Sequence, residues 1–269
     1  MSELRLLREL APISPEAWKE IDATATQVLK TKLGGRKLVD FRGPLGWTKA
    51  SVTLGRVAPI PPPEAGVIAA IRRVQPIVEL TAEFELSRNE IDDMGRGAED
   101  ADLDPVIDAA TRIAHAEDSA VFNGYEAAGI AGIGPSSTNA PLQISDDYGA
   151  YPGLVSEATS RLRTAGVDGP YAIALGPRCW AGLMQAVDGY PLFEVVRRVL
   201  DGPIVWAPAV DGAIVLSLRG GDYQLTIGQD LSIGYRSHTA THVRLLLTES
   251  MTFRVFNPEA AVRLVYHGA

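Results

Sequence analysis

The first clearly periodic segment is residues 14–33, where apolar side chains recur every three or four positions. Ser14 suits the N-cap of a helix, Pro15 its first position, and Gly34 its end. The apolar positions are Trp18, Ile21, Ala25, Val28 and Leu29. Because they fall on one face, the pattern predicts an amphipathic surface helix. Residues 36–41 then predict a short strand.

A second periodic segment, residues 104–127, predicts the longest helix. Asp104 is expected to cap it and Pro105 to begin it. The expected buried stripe is Val106, Ala110, Ile113, Ala114, Val121 and Phe122. A helix of this length would form the spine of a domain.

Residues 45–78 do not resemble a domain core, because proline and glycine interrupt every apolar run. Alternation over residues 50–57 predicts an extended hairpin arm, and the prolines at 59–63 indicate a stiff return. A long arm of this kind cannot bury itself. It is either a mobile lid or a segment that packs on a neighbouring subunit.

The rest of the chain mixes helices and strands. The patterns predict helices at 152–165, 177–186 and 191–200, and strands at 171–175, 203–207 and 213–218. The last fifty residues are mostly β, with predicted strands at 223–228, 231–235, 243–249, 251–256 and 261–267. Helices and strands are partly segregated, which indicates an α+β class.

The net charge and the cysteine content exclude some classes of partner and site. The 269 residues carry a formal net charge of −8, which argues against nucleic acid as a partner. The single cysteine, Cys179, can form neither an internal disulfide nor a cysteine-based zinc site, and this usage suits a cytoplasmic protein. The sequence shows no signal peptide and no membrane span.

No convincing catalytic or metal site emerges from the motifs. The glycines at 129, 132 and 134 have the wrong spacing for a phosphate-binding loop. His238 and His242 lack the glutamate of a zinc protease motif, and on a strand they would lie too far apart to chelate one ion. The acidic clusters around Glu90 and Glu99 suit solvated loops better than a calcium loop. We therefore predict no catalytic residue, no metal and no cofactor.

A set of short motifs spread along the whole chain resembles the encapsulin nanocompartment shell proteins of the linocin type (family 1). Each motif is weak alone, and the ordered set is specific. The motifs are Leu10-Ala11-Pro12, Trp18, Glu20-Ile21-Asp22, Gly35-Arg36-Lys37, Val39-Asp40, Gly43-Pro44, Gly46-Trp47, Leu54-Gly55, Glu90, Asp92, Arg96-Gly97, Glu117-Asp118, Phe122, Gly124, Gly169-Pro170-Tyr171, Gly189-Tyr190-Pro191-Leu192, Gly220-Gly221-Asp222, the run from Gly228 to Tyr235, and the run from Glu249 to Phe253.

The resemblance implies the HK97 bacteriophage capsid-like fold. The N-terminal helix arm and the start of the peripheral domain would be residues 1–44, and 45–78 would be the extended loop. The peripheral domain would continue through 79–130 and 225–255, and the axial domain would comprise 131–224 and 256–269. Sixty subunits, or a multiple, would close an icosahedral shell.

The resemblance also implies two sites. A C-terminal targeting peptide of a cargo enzyme would bind in a groove on the inner surface, lined by Leu29, Leu33, Leu38, Asp40, Leu231, Ile233 and Tyr235. Residues 231, 233 and 235 also share one strand face by simple alternation, although plain core residues would show the same pattern. A pore at the five-fold axis would be lined by Val187, Asp188, Gly189 and Tyr190.

The family implies cargo such as a dye-decolourising peroxidase or a ferritin-like iron oxidase, and hence a role in oxidative stress or iron storage. Asn89 stands where some members have an aromatic residue associated with flavin, so no flavin is expected. Two alternatives stay open at this point, a phage or prophage major capsid protein and a bacteriocin or protease. The chain has no serine elbow or metal motif for the last.

Overall fold

The computed structural model describes residues 6–185 and 191–266. In these ranges the helices of four or more residues are α1 (Pro15–Lys32), α2 (Arg88–Gly95), α3 (Asp104–Phe122), α4 (Ile133–Ser136), α5 (Tyr151–Thr164), α6 (Pro177–Gln185) and α7 (Leu192–Leu200). The strands are β1 (Asp40–Arg42), β2 (Ser51–Ile60), β3 (Ala69–Pro76), β4 (Val78–Ser87), β5 (Leu142–Ile144), β6 (Tyr171–Leu175), β7 (Ile204–Trp206), β8 (Ala213–Ser217), β9 (Tyr223–Ile227), β10 (Ser232–His238), β11 (His242–Val255) and β12 (Ala261–Tyr266). None of the described helices is long and apolar enough to cross a membrane.

Helix α1 forms where the sequence predicts it. The Ser14 hydroxyl accepts a hydrogen bond from the backbone N–H of Ala17 at 3.2 Å and so caps the helix. Ala17, Ile21 and Ala25 are its buried residues. The predicted strand over 36–41 is only partly correct, because Gly35–Lys37 form a 3₁₀ turn before β1 begins.

The arm over residues 45–78 is a hairpin. Strands β2 and β3 pair only with each other, so the arm forms a two-stranded sheet of its own. At its base, the Gln75 side chain donates to the carbonyls of Ala128 and Gly129, both at 3.1 Å. Apart from the buried Val52, its residues are exposed or half-buried.

Helix α3 carries the predicted buried stripe, but two details of the prediction are wrong. Leu103 occupies the N-cap position and Asp104 is the first helical residue. The helix also ends at Phe122 rather than near 127. Gly124 follows with φ of 87°, and a Cβ there would lie 2.7 Å from the carbonyl oxygen of Ala131. The chain therefore turns sharply at this glycine.

The first sheet has the order β1-β9-β11-β10, and β4 also pairs with β11. Residues 243–248 of β11 pair with both β10 and β4, so those strands flank it. The strands predicted around 243–249 and 251–256 are one continuous strand, and His238 and His242 lie on either side of a hairpin turn rather than on one strand. Helices α1, α2 and α3 pack on this sheet around one apolar core.

The second sheet has the order β5-β12-β8-β6-β7, and helices α5 to α7 pack around it. Its core contains almost every residue of β6 and β8. The helices and strands predicted between 152 and 218 are confirmed within one residue at each described end. The predicted domain division between 224 and 225 falls inside β9, which pairs in the first sheet, and the domain boundaries stay predictions.

Candidate functional site

A groove lies between α1 and β10. Its cavity has a volume of about 630 Å³. The apolar part of the lining comes from the N-terminal segment, from α1, from β10 and the residue before it, and from β11. These residues are Leu6, Ala25, Leu29, Leu231, Ile233 and Leu247, with Arg8, Glu9, Asp22, Thr26 and Ser232 as the polar ones.

An adjoining cavity of about 440 Å³ extends the groove toward the end of α1. Leu29 and Leu231 line both cavities, and Leu33 lines the second. Lys30, Lys37, Arg36 and Asp230 also line this second cavity. The two cavities together form a channel lined by both apolar and charged side chains, which we call the α1–β10 groove.

The structure brings together four of the seven predicted groove residues: Leu29, Leu33, Leu231 and Ile233. Ile233 is only 4% exposed and also belongs to the core of the first sheet. Leu29 and Leu231 are half-buried. A ligand in the groove would therefore contact Leu29 and Leu231 most directly.

The other three predicted residues lie elsewhere. Leu38 and Asp40 line a separate cavity of about 250 Å³, shared with the β8–β9 turn. There Asp40 accepts a hydrogen bond from the backbone N–H of Gly221 at 2.6 Å. Tyr235 is half-buried further along β10, and its hydroxyl lies 2.6 Å from Nδ1 of His238.

The N-terminal segment contributes groove residues that the sequence did not indicate. Arg8 makes a two-pronged contact with Asp22 at 2.7 and 3.1 Å, and its guanidinium lies 3.8 Å from the ring centre of Trp18. Leu6 packs closely on Gly234, since a Cβ on that glycine would lie 3.2 Å from Cδ2 of Leu6. In the sequence this segment shows only an alternation of leucine with charged residues, and such a pattern does not indicate where a short segment will pack.

Arg36 stands at the end of the groove and is the centre of a charged cluster. Its guanidinium donates to Glu117 at 2.5 to 2.9 Å, to Asp230 at 2.8 Å and to Glu249 at 3.1 Å. Glu117 and Glu249 are fully buried. The cluster thus joins the end of α1 to α3, to β11 and to the β9–β10 loop. Burial alone would lower the pKa of Arg36, but the bond to Glu117 and the three negative charges outweigh it and raise the pKa.

Asp118 adds another buried carboxylate beside this cluster. Its two oxygens accept the backbone N–H groups of Gly34 and Gly35, at 2.9 and 2.8 Å. Burial raises the pKa of Asp118 to about 7, and the charge of Glu117 adds to the rise, although the two N–H donors oppose it. Burial and the nearby Glu117 also raise the pKa of Glu249 well above its usual range.

The described residues contain no group of three or more His, Cys, Asp or Glu side chains that could hold a metal. His238 is engaged with Tyr235, and His242 contacts the Thr241 hydroxyl at 3.0 Å. Cys179 is buried between the hydroxyls of Tyr151 and Tyr266, each at 3.3 Å, and its pKa is raised by burial. A buried thiol of this kind is a poor nucleophile.

The predicted pore residues Val187, Asp188, Gly189 and Tyr190 lie outside the described residues.

The class of fold follows from comparison with solved structures. A solved virus-like particle from Pyrococcus furiosus matches with a TM-score of 0.64 at 17% identity, over 92% of this chain and 98% of that one. The capsid of an empty GTA particle matches with a TM-score of 0.53 at 13% identity, over 87% and 96%. The fold is therefore the HK97 capsid-like fold, as predicted.

The family follows from closer relatives. The model of the Linocin_M18 family, described as "Encapsulating protein for peroxidase", matches residues 3–252. Type 1 encapsulin shell proteins match at 51% identity in Rhodospirillum rubrum, over 96% of this chain and 95% of that protein, and at 45% in Mycobacterium tuberculosis, over 96% and 98%. The chain belongs to the encapsulin shell protein family. It is a structural, capsid-like protein and not an enzyme, which excludes the protease alternative.

Proposed function

We propose that sixty copies of this chain, or a multiple, assemble into a closed icosahedral compartment in the cytoplasm, and that the α1–β10 groove binds the C-terminal peptide of a cargo enzyme. The cargo class is a peroxidase or a ferritin-like iron oxidase, and small solutes would enter through the pore loop at 187–190. The phage capsid alternative is weaker, because the phage-type matches are at the level of fold alone.

The groove supports the cargo part of this proposal. It is bounded by a helix and a strand and combines apolar with charged side chains, which suits a short peptide that has a few apolar side chains and some charged ones. The charged groups Arg8, Asp22, Lys30 and Lys37 lie along it and could orient such a peptide.

The hairpin arm supports the assembly part. Ile68 is 97% exposed, Val57 66% and Ile71 57%, which is unusual for apolar side chains in a soluble subunit. An isolated two-stranded hairpin is also marginally stable in water. Both features fit an arm that packs on a neighbouring subunit.

One experiment tests both parts. Light scattering of the purified chain should give particles of about 1.7 MDa or a multiple, since sixty chains of 28.8 kDa have that mass. Leu29→Asp should form the same particles but lose co-purifying cargo by at least about tenfold, because a charge at an apolar position of the groove costs several kcal/mol.

Ala23→Asp is the matched control, since Ala23 lies on α1 but is exposed and outside the groove. It should retain cargo like the parent. A monodisperse monomer or dimer of the parent would contradict the assembly proposal. Equal cargo loading in all three proteins would show that cargo binds elsewhere.

A further inference from the structure

The hairpin arm carries an unusual pair of like charges. In the β2–β3 register, Arg56 lies directly opposite Arg73, and Ala58 lies opposite Ile71. Residues opposite each other in an antiparallel pair share a face of the sheet. We call this side of the hairpin, which bears Arg56, Arg73, Ala58 and Ile71, the arginine face.

Among the residues that the structure describes, no ion pair neutralises the arginine face. Both arginines are exposed, and the ion pairs of the described residues include neither of them. Like charges directly opposite on a strand pair are destabilising. In an isolated subunit, the repulsion between Arg56 and Arg73 is therefore not offset by any ion pair of the described residues.

The chain carries the complementary charge in another segment. Residues 45–78 have four basic side chains and one acidic, a formal charge of +3, whereas residues 88–108 have two basic and eight acidic, a formal charge of −6. Among the acids, Asp92, Glu99, Asp100 and Asp104 are exposed and take part in none of the ion pairs found in the described residues.

We propose that the arginine face of one copy docks on the acidic segment 88–108 of a neighbouring copy in the shell. Arg56 and Arg73 form ion pairs with its carboxylates, and the apolar side chains beside them are buried at the same contact. This inference rests on the proposed assembly. It adds which face of the arm is the contact face and which surface receives it.

Two adjacent residues give a matched test. Arg73→Glu reverses a charge on the arginine face, and Arg72→Glu makes the same change on the opposite face, where Arg72 lies opposite Val57. The measured quantity is the subunit concentration at which half the protein is in particles. At about 50 mM salt, Arg73→Glu should raise it at least about tenfold and Arg72→Glu by less than about twofold. The difference between the two variants in this concentration should become smaller near 1 M salt, because salt screens the ion pairs.

A charge swap tests the partner surface. Arg56→Glu combined with Arg73→Glu should abolish particles, and adding Asp100→Lys and Asp104→Lys in the same chain should restore them. Far-ultraviolet circular dichroism should show folded subunits throughout. The inference is overturned if the swap does not restore particles, or if Arg73→Glu and Arg72→Glu assemble equally well. In either case, particles formed by the parent protein would still support the proposed assembly.

Nucleic acid is the other polyanion that an arginine pair could bind. If Arg73→Glu left particle formation unchanged but removed co-purifying nucleic acid, measured by the absorbance ratio at 260 and 280 nm, the neighbouring-copy contact would be wrong.

Discussion

Hydrogen bonds and ion pairs of a few side chains connect the end of α1 to the rest of the subunit. Arg36 gathers Glu117, Glu249 and Asp230 from three separate segments, and Asp118 holds the backbone of Gly34 and Gly35. Gly34 is packed so closely that a Cβ would lie 2.9 Å from the carbonyl oxygen of Trp206. Removing one partner of a buried ion pair destabilises a protein by more than the intact pair stabilises it, because the remaining charge is left buried and unpaired. The end of α1, and with it one end of the groove, is therefore fixed by a few polar contacts.

The raised pKa of Asp118 has a consequence for stability. A carboxyl with pKa of about 7 in the folded protein, against an ordinary value near 4, binds its proton more tightly when folded. Its contribution to stability is complete at low pH and is lost as the pH rises from about 4 to about 7. The full change is on the order of 4 kcal/mol for one such group.

We expect Asp118→Asn to flatten that dependence, since asparagine does not titrate. Thermal midpoints of the particles, measured from pH 5 to 7.5, should fall with rising pH in the parent and much less in the variant. Asp146→Asn is the control, because Asp146 is exposed and Arg178 lowers its pKa, so it does not titrate in this range. Parallel curves for the parent and Asp118→Asn would contradict the assigned pKa.

At the scale of elements, periodicity predicted most of the helices and strands, and the errors have local causes. Arg36–Phe41 has a strand-like composition, but buried carboxylates hold Arg36 in a 3₁₀ turn. Asp104 suits a cap by residue type, yet the chain enters α3 one residue earlier. The two strands predicted over 243–256 form the single strand β11 because it pairs with β4, β9 and β10 along its length. The local sequence could not predict this, since β4 lies far away in the chain.

The candidate site was less accessible to sequence reasoning than the fold. Leu29 and Leu231 are 202 positions apart, and only the family resemblance placed them together. Several residues of the Arg36 cluster belong to the family motifs, namely Gly35-Arg36-Lys37, Glu117-Asp118 and Glu249. Their spacing in the sequence did not predict that they form ion pairs with one another. Ion pairs between separate segments leave no periodic signal, so they become visible only in the folded chain.

The cap of α1 gives a prediction at this scale. Ser14→Ala removes the acceptor for the N–H of Ala17 and should destabilise the helix by about 1 kcal/mol. Because α1 is one wall of the groove, the variant should also lose bound cargo faster during dilution. Ser14→Asp keeps an acceptor at the cap and should behave like the parent in thermal unfolding of the particles. Equal thermal midpoints for all three proteins would show that the cap contributes nothing measurable.

At the scale of the whole molecule, a formal charge of −8 on each chain makes any closed shell strongly anionic. An anionic wall raises the local concentration of cations and repels anions, most strongly at low ionic strength. This field would act together with the proposed Asp188 ring at the five-fold pore.

The pore proposal is testable with a cation as the substrate of the cargo. Asp188→Lys in shells loaded with an iron-oxidising cargo should slow the oxidation of added Fe²⁺ by about tenfold at low salt, because five positive charges would surround the opening. Asp188→Asn should give an intermediate rate. Rates that match the parent at every ionic strength would show that iron enters by another route.

The position of β12 has a consequence for how the subunit is made in the cell. This strand is formed by residues 261–266, yet it lies inside the second sheet, between β5 and β8. Until the ribosome has synthesised and released these residues, β8 and β5 have an empty place between them and the sheet cannot close. The second sheet therefore completes its pairing only after residues 261–266 have left the ribosome, so β5 and β8 fold into it late, although both are synthesised well before that strand.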